Sequence, residues 1–191
     1  MSTASTAPLT FREATVDDAE TLVTLVRTAY RGEAGWTTES ALLDDERIDV
    51  AGVVAKIAEP HGAVLLGLGS PTPARDSPAT ARVVACCEVV HRGDGLAYFG
   101  MLAVDPTLQA AGLGRRVLAH AEAYAVRRWG AHTMEMTVIG QRSELITWYE
   151  RRGYTVTDHT RPFPYDALVG GLALRDDLYF RVLVKSLPGP G

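Results

Sequence analysis

The stretch Tyr98-Phe99-Gly100-Met101-Leu102-Ala103-Val104 reads as an extended apolar run halted by Asp105-Pro106. Within a few residues it gives way to Gln109-Ala110-Ala111-Gly112-Leu113-Gly114-Arg115-Arg116. Leu113, Val117, Ala121, Tyr124 and Ala125 then recur at helical spacing, which predicts a helix from about Gly112 to Trp129. A helix start leaves backbone N–H groups without intrahelical partners and carries a partial positive charge. Small residues there let the backbone close around a phosphate, and two arginines add charge, so the segment offers a diphosphate site. A glycine pair that serves only a tight turn is the plainer alternative. A dinucleotide-binding fold fits poorly, because position 117 is Val where a third glycine belongs and Glu135 falls inside a strand pattern.

The rest of the chain frames this segment. Leu9 to Ala14, Ala63 to Leu68, Arg82 to His91 and Leu96 to Val104 read as strands. Asp94-Gly95 between the last two is a hairpin signal. Ala19, Leu22, Val23, Val26 and Tyr30 form one face of a helix whose expected N-cap is Asp17, and Asp49 to Ala58 is a shorter helix. Thr133 to Ile139 alternates as a strand, and a helix from Ser143 ends at Gly153. Tyr154 to Thr157 and Leu178 to Ser186 close the fold, with a Pro- and Gly-containing arm between them. Hairpins followed by a strand-helix-strand crossover give an α/β fold. Its central sheet is mixed, mostly antiparallel, of six to seven strands, with helices on both faces. Residues 9–187 are expected to form one domain, and residues 1–8, rich in Ser, Thr and Ala, a disordered tail without the features of a signal peptide.

A net charge of −4 argues against nucleic acid as the main partner, and no apolar stretch reaches the ~18 residues of a membrane helix. Cys86 and Cys87 are adjacent, so they point to opposite faces of a strand and suit a reducing cytoplasm. His61, His91, His120, His132 and His159 show no metal-ligand spacing, and no metal is expected.

The two central motifs carry a resemblance. Leu102-Ala103-Val104-Asp105-Pro106 with Gln109-x-x-Gly112-x-Gly114 resembles the pyrophosphate motif of the GNAT superfamily of acetyl-CoA-dependent N-acetyltransferases. Glu144-Leu145-Ile146-Thr147-Trp148-Tyr149-Glu150-Arg151-Arg152-Gly153-Tyr154 is similar to that family's later helix-to-strand motif, in the same order and spacing. The resemblance covers roughly residues 9 to 158. It implies a single GNAT-like domain whose sheet splays between its fourth and fifth strands, Leu96–Val104 and Thr133–Ile139. It further implies that Leu102, Ala103 and Val104 pair with the pantetheine arm of acetyl-CoA, and that Gln109, Ala110, Ala111, Gly112, Leu113, Gly114 and Arg115 hold its pyrophosphate.

The reaction so implied moves an acetyl group to a primary amine by direct attack. Tyr149 stands where the family places the acid that serves the departing thiolate, although core packing also explains it. Glu88 interrupts the apolar run Val83 to Val90 and is the candidate base, with a salt bridge as the alternative. Tyr98 begins the fourth strand where some members place a glutamate, and its hydroxyl can orient water. Trp36, Phe163 and Tyr165 are candidate walls for the acceptor, which points to a small-molecule amine. Asp44-Asp45-Glu46 would either attract a cationic amine or form a solvated cap. A non-catalytic acyl-CoA-binding or sensor domain and a protein or peptide N-acetyltransferase are the other readings, and the sequence leaves room for a homodimer.

Overall fold

The computed structural model describes residues 9–32, 39–69 and 81–189, the side chains of 109–111 aside. In chain order the elements are β1 (Leu9–Glu13), α1 (Ala19–Arg31), β2 (Leu43–Asp44), α2 (Val50–Ile57), β3 (Gly62–Gly69), β4 (Arg82–His91) and β5 (Leu96–Val104). They continue with α3 (Leu113–Trp129), β6 (Thr133–Ile139), α4 (Ser143–Glu150), β7 (Thr155–Pro162), β8 (Leu172–Ala173) and β9 (Tyr179–Ser186). One seven-stranded sheet runs β1-β3-β4-β5-β6-β9-β7, and its pairs are antiparallel except β5 with β6. Among the described residues these elements make a single α/β domain with four α-helices.

Strand alternation divides the core between two faces. Leu65, Cys87, Val89, Phe99 and Met134 pack with α3 residues such as Val117 and Ala121. Val64, Leu66, Cys86, Met101 and Ala103 pack with Leu22 and Val26 of α1 and Val53 of α2. Each fully buried Leu or Phe contributes about 2 kcal/mol by leaving water. Cys86 and Cys87 therefore lie on opposite faces, as their adjacency predicts, and both are free thiols. Burial pushes the Cys86 thiol up to about 12 and raises Cys87 well above the ordinary thiol value, so both behave as small core side chains.

Strands β5 and β6 pair only at Leu96–Thr133, Ala97–Met134 and Tyr98–Glu135, although β5 runs on to Val104 and β6 to Ile139. Past Tyr98 the sheet splays open. The cause is local. β4 and β5 go out of register between Cys86–Ala103 and Glu88–Gly100, and Met101 sits in the left-handed region at φ 51°. A bulge of this kind inserts an extra residue, increases the twist and turns the strand away from its neighbour.

Three details differ from the sequence reading. The first helix is not capped by Asp17: Asp18 holds the N-cap position without a side-chain cap bond, and its carboxylate instead accepts from the Thr15 N–H at 2.8 Å across the 3-10 turn Val16–Asp18. Strand β7 extends to Pro162, because an irregularity between Val156 and Thr160 interrupts the alternation by which a strand is recognised. The arm that follows is pinned by the two-residue pair β2–β8, where Asp44 O would lie 1.9 Å from any Cβ at Gly171. Only glycine permits that approach. Leu43, Ile139, Phe163 and Leu178 form a small separate core beneath it.

Candidate active site

Two cavities meet where β5 and β6 part. The first, of about 280 Å³, is lined by Leu102 and Val104 of β5, Gly112, Gly114 and Arg115 at the start of α3, and Glu144, Leu145, Trp148, Arg151 and Arg152 around α4. A 3-10 turn, Pro106–Ala111, leads into α3, and Asp105 steadies it by accepting from the Thr107 N–H at 2.9 Å. Gly112 follows at φ 70°, a conformation that favours glycine, and no atom lies within 4 Å of where its Cβ would be. Ala103 and Leu113 turn their side chains into the core, so any part they take in the groove is through the backbone.

Three guanidiniums crowd this groove. Arg152 stacks on the Trp148 ring at 3.5 Å and donates to Trp148 O at 2.6 Å, while its Nε is buried without a partner among the described residues. Burial lowers the Arg152 pKa, and the neighbouring charges of Arg151 and Arg115 lower it further. Clustered like charges and an unmatched buried donor beside a helix start suit a polyanion, so the residues present fit a diphosphate.

The second cavity, of about 250 Å³, lies on the other side of Leu102 and Leu145, which line both. Its walls include Tyr30, Glu39, Arg47, Tyr98, Gly100, Arg142, Tyr149, Phe163 and Phe180. Tyr149 is 5% exposed and edge-on to Trp148 and Tyr154. Burial above all, with Tyr30 and others adding to it and Arg142 opposing, raises the Tyr149 pKa, so the hydroxyl stays protonated.

Glu88 and Tyr98 converge on Gly100. A methyl group at Gly100 would meet the Tyr98 ring at 3.0 Å and Glu88 Oε2 at 3.3 Å. Glu88 is buried and held by Lys56 Nζ at 2.9 and 2.8 Å, so its carboxylate is ion-paired behind the cavity wall. The Tyr98 hydroxyl lies 2.9 Å from the Thr137 hydroxyl, with the Arg92 guanidinium 4.1 Å from the Tyr98 ring centre.

The expected acceptor wall is placed unevenly. Phe163 lines the second cavity and is tilted against Phe180. Tyr165 lies outside it, exposed, where its hydroxyl accepts from the Leu178 N–H at 2.7 Å and fastens the arm. Trp36 lies outside the described residues. Asp45 is bound by Arg31 and Glu46 by Arg27, so two of the three acidic residues are already paired. Sequence reasoning missed Glu39, Arg47 and Arg142, which no local pattern singles out and only the fold brings together.

Comparison with known proteins agrees with this architecture. The acetyltransferase (GNAT) domain model matches residues 74–156. No curated protein matches the chain in sequence. Among solved structures, spermidine N-acetyltransferase from Vibrio cholerae in complex with CoA and spermine is 13% identical, covering 94% of this chain and 95% of that one, at a TM-score of 0.64. PaiA N-acetyltransferase from Thermoplasma acidophilum in complex with coenzyme A is 16% identical, covering 94% and 99%, at 0.66. The ribosomal-protein-S18-alanine N-acetyltransferase from Escherichia coli is 16% identical, covering 96% and 97%, at 0.64. The chain thus matches the acetyltransferase (GNAT) domain model over residues 74–156 and shares the fold of these solved N-acetyltransferases.

Proposed function

We propose that the protein transfers an acetyl group from acetyl-CoA to a primary amine of a small molecule by direct attack. The observation that carries this reading is that the two cavities meet at Leu102 and Leu145 in the opening between β5 and β6. Arg115, Arg151, Arg152 and the backbone of the Gln109–Gly114 segment hold the diphosphate of acetyl-CoA, and the diverging edge of β5 at Leu102 to Val104 takes the pantetheine arm as an added strand. The activated thioester is the chemistry that acetyl-CoA supplies. Solved neighbours described as complexes with CoA support the donor.

The protein has three tasks in the transfer. A backbone N–H of the Met101 bulge polarises the thioester carbonyl. The amine forms the new N–C bond as the C–S bond breaks, and its proton passes to the Glu88 carboxylate through water that the Tyr98 hydroxyl orients. Tyr149 serves the departing sulfur. Its raised pKa lies above that of a thiol, ~8.5, so it acts chiefly as a hydrogen-bond donor to the forming thiolate. The two buried free thiols suit a reducing compartment such as the cytoplasm.

Thiol release from acetyl-CoA, followed against a panel of small primary amines and peptide N-termini, tests this function. The reading expects amine-dependent release with at least one small amine. Saturable acetyl-CoA binding with no release against any acceptor makes the protein a sensor, and release with peptides alone makes it a peptide acetyltransferase.

A further inference from the structure

The second cavity carries an unbalanced charge. Among the described residues its lining holds one carboxylate, Glu39, and two guanidiniums, Arg47 and Arg142. Both Glu39 oxygens are occupied: Oε1 accepts from Arg142 Nη1 at 3.1 Å and Oε2 from Arg31 Nη1 at 3.0 Å. Arg31 also donates through Nε to Asp45 at 2.7 Å. Glu39 and Asp45 thus balance Arg31 and Arg142. Among the described residues no carboxylate lies within ion-pair distance of Arg47, and Glu39 and Asp45 act on it only from further away.

Arg47 is also held in place. Its backbone sits at φ 67°, a left-handed conformation that costs a non-glycine residue about 1–2 kcal/mol and persists only where surroundings impose it. Its guanidinium stacks over the Tyr30 ring, 4.8 Å from the centre. A cation fixed in this way on an aromatic platform is pre-organised for a planar anion, and it disfavours a second positive charge nearby. A polyamine acceptor would bring further ammonium groups to a cavity whose carboxylate is already neutralised.

We propose that the acceptor amine carries a carboxylate or a comparable anion, which Arg47 binds in the second cavity. The proposal rests on the acetyl-transfer reading above and narrows its substrate class. Arg142 at the N-cap of α4 and Leu145 and Tyr149 within it all line this cavity. An amino-acid acceptor sets a carboxylate beside its amine, which Arg47 can bind in the cavity, whereas a peptide N-terminus lacks the adjacent carboxylate.

Thiol release compared for matched acceptors, free amino acids against their α-carboxamides, tests the proposal in the wild type, Arg47→Gln and Arg47→Lys. The carboxylate form is expected to be preferred in kcat/KM by about tenfold or more. Arg47→Gln is expected to remove that preference through KM, with acetyl-CoA affinity unchanged and the preference partly kept in Arg47→Lys. Equal use of the carboxamides, or a preference that survives Arg47→Gln, overturns the anion site and leaves the acetyltransferase standing. No release with either member of any pair, but release with polyamines, overturns the anion site likewise. No release with any amine contradicts the acetyl-transfer reading itself.

Discussion

The Tyr98 and Thr137 hydroxyls lie 2.9 Å apart, bridging β5 and β6 just beyond their last backbone pair, Tyr98 with Glu135. This contact closes the root of the splay that both cavities exploit. Tyr98→Phe is expected to cost about 1 kcal/mol of stability, and a double-mutant cycle with Thr137→Val to show coupling of about 0.5–1 kcal/mol. Turnover should fall by less than about tenfold. Additive losses in urea unfolding would remove the bridge from the account.

Tyr149→Phe keeps the ring packing against Trp148 and Tyr154 and deletes only the hydroxyl. Loss of a donor to the departing sulfur is expected to lower kcat by about 100-fold while acetyl-CoA affinity stays within about twofold. Wild-type kcat in this variant would leave Tyr149 as a packing residue alone.

Glu88 is ion-paired to Lys56, whose side chain is partly exposed, so Glu88→Gln should cost only about 1 kcal/mol of stability. If its carboxylate receives the amine proton, kcat/KM at neutral pH drops by about tenfold or more and recovers as pH rises and free amine accumulates. A pH–rate profile unchanged in shape and height assigns Glu88 to structure.

A pH effect on folding is expected at the other end of the sheet. Arg12 holds Asp18 through two 2.7 Å hydrogen bonds, which, with the Thr15 N–H, lower the Asp18 pKa to about 2. A depressed carboxylate pKa adds stability above the unfolded value, ~3.9, that disappears as pH falls through about 2. Arg12 is largely exposed, so screening limits the contribution to about 1 kcal/mol. Urea unfolding at pH 7 and pH 2 should show Asp18→Asn less stable than wild type only at the higher pH.

Much of this was legible in the sequence where periodicity and local chemistry agree. The stripe of α3, the Asp94-Gly95 hairpin and the Gly112 loop each depend on residues close together in the chain. The two-residue β2–β8 pair was not legible, since Leu43-Asp44 and Leu172-Ala173 have no strand pattern and pair only because the arm folds back. The charges of the second cavity were hidden for the same reason: Glu39 and Arg142 are 103 residues apart and meet only in the folded chain. Glu88 could be singled out as a carboxylate in an apolar run, but its partner Lys56 lies on α2, 32 residues away, beyond any local signal.

The central claim is that the Gly112 groove binds acetyl-CoA, and calorimetric titration of the wild type, Gly112→Ala and Gly112→Glu tests it most directly. The account predicts saturable binding by the wild type and not of NAD. Gly112→Ala should weaken it modestly, since its methyl meets no atom within 4 Å and only the φ of 70° is strained. Gly112→Glu, folded by circular dichroism, should lose more than about tenfold in affinity through charge repulsion. Wild-type affinity in Gly112→Glu, or no binding by a folded wild type, would contradict the account.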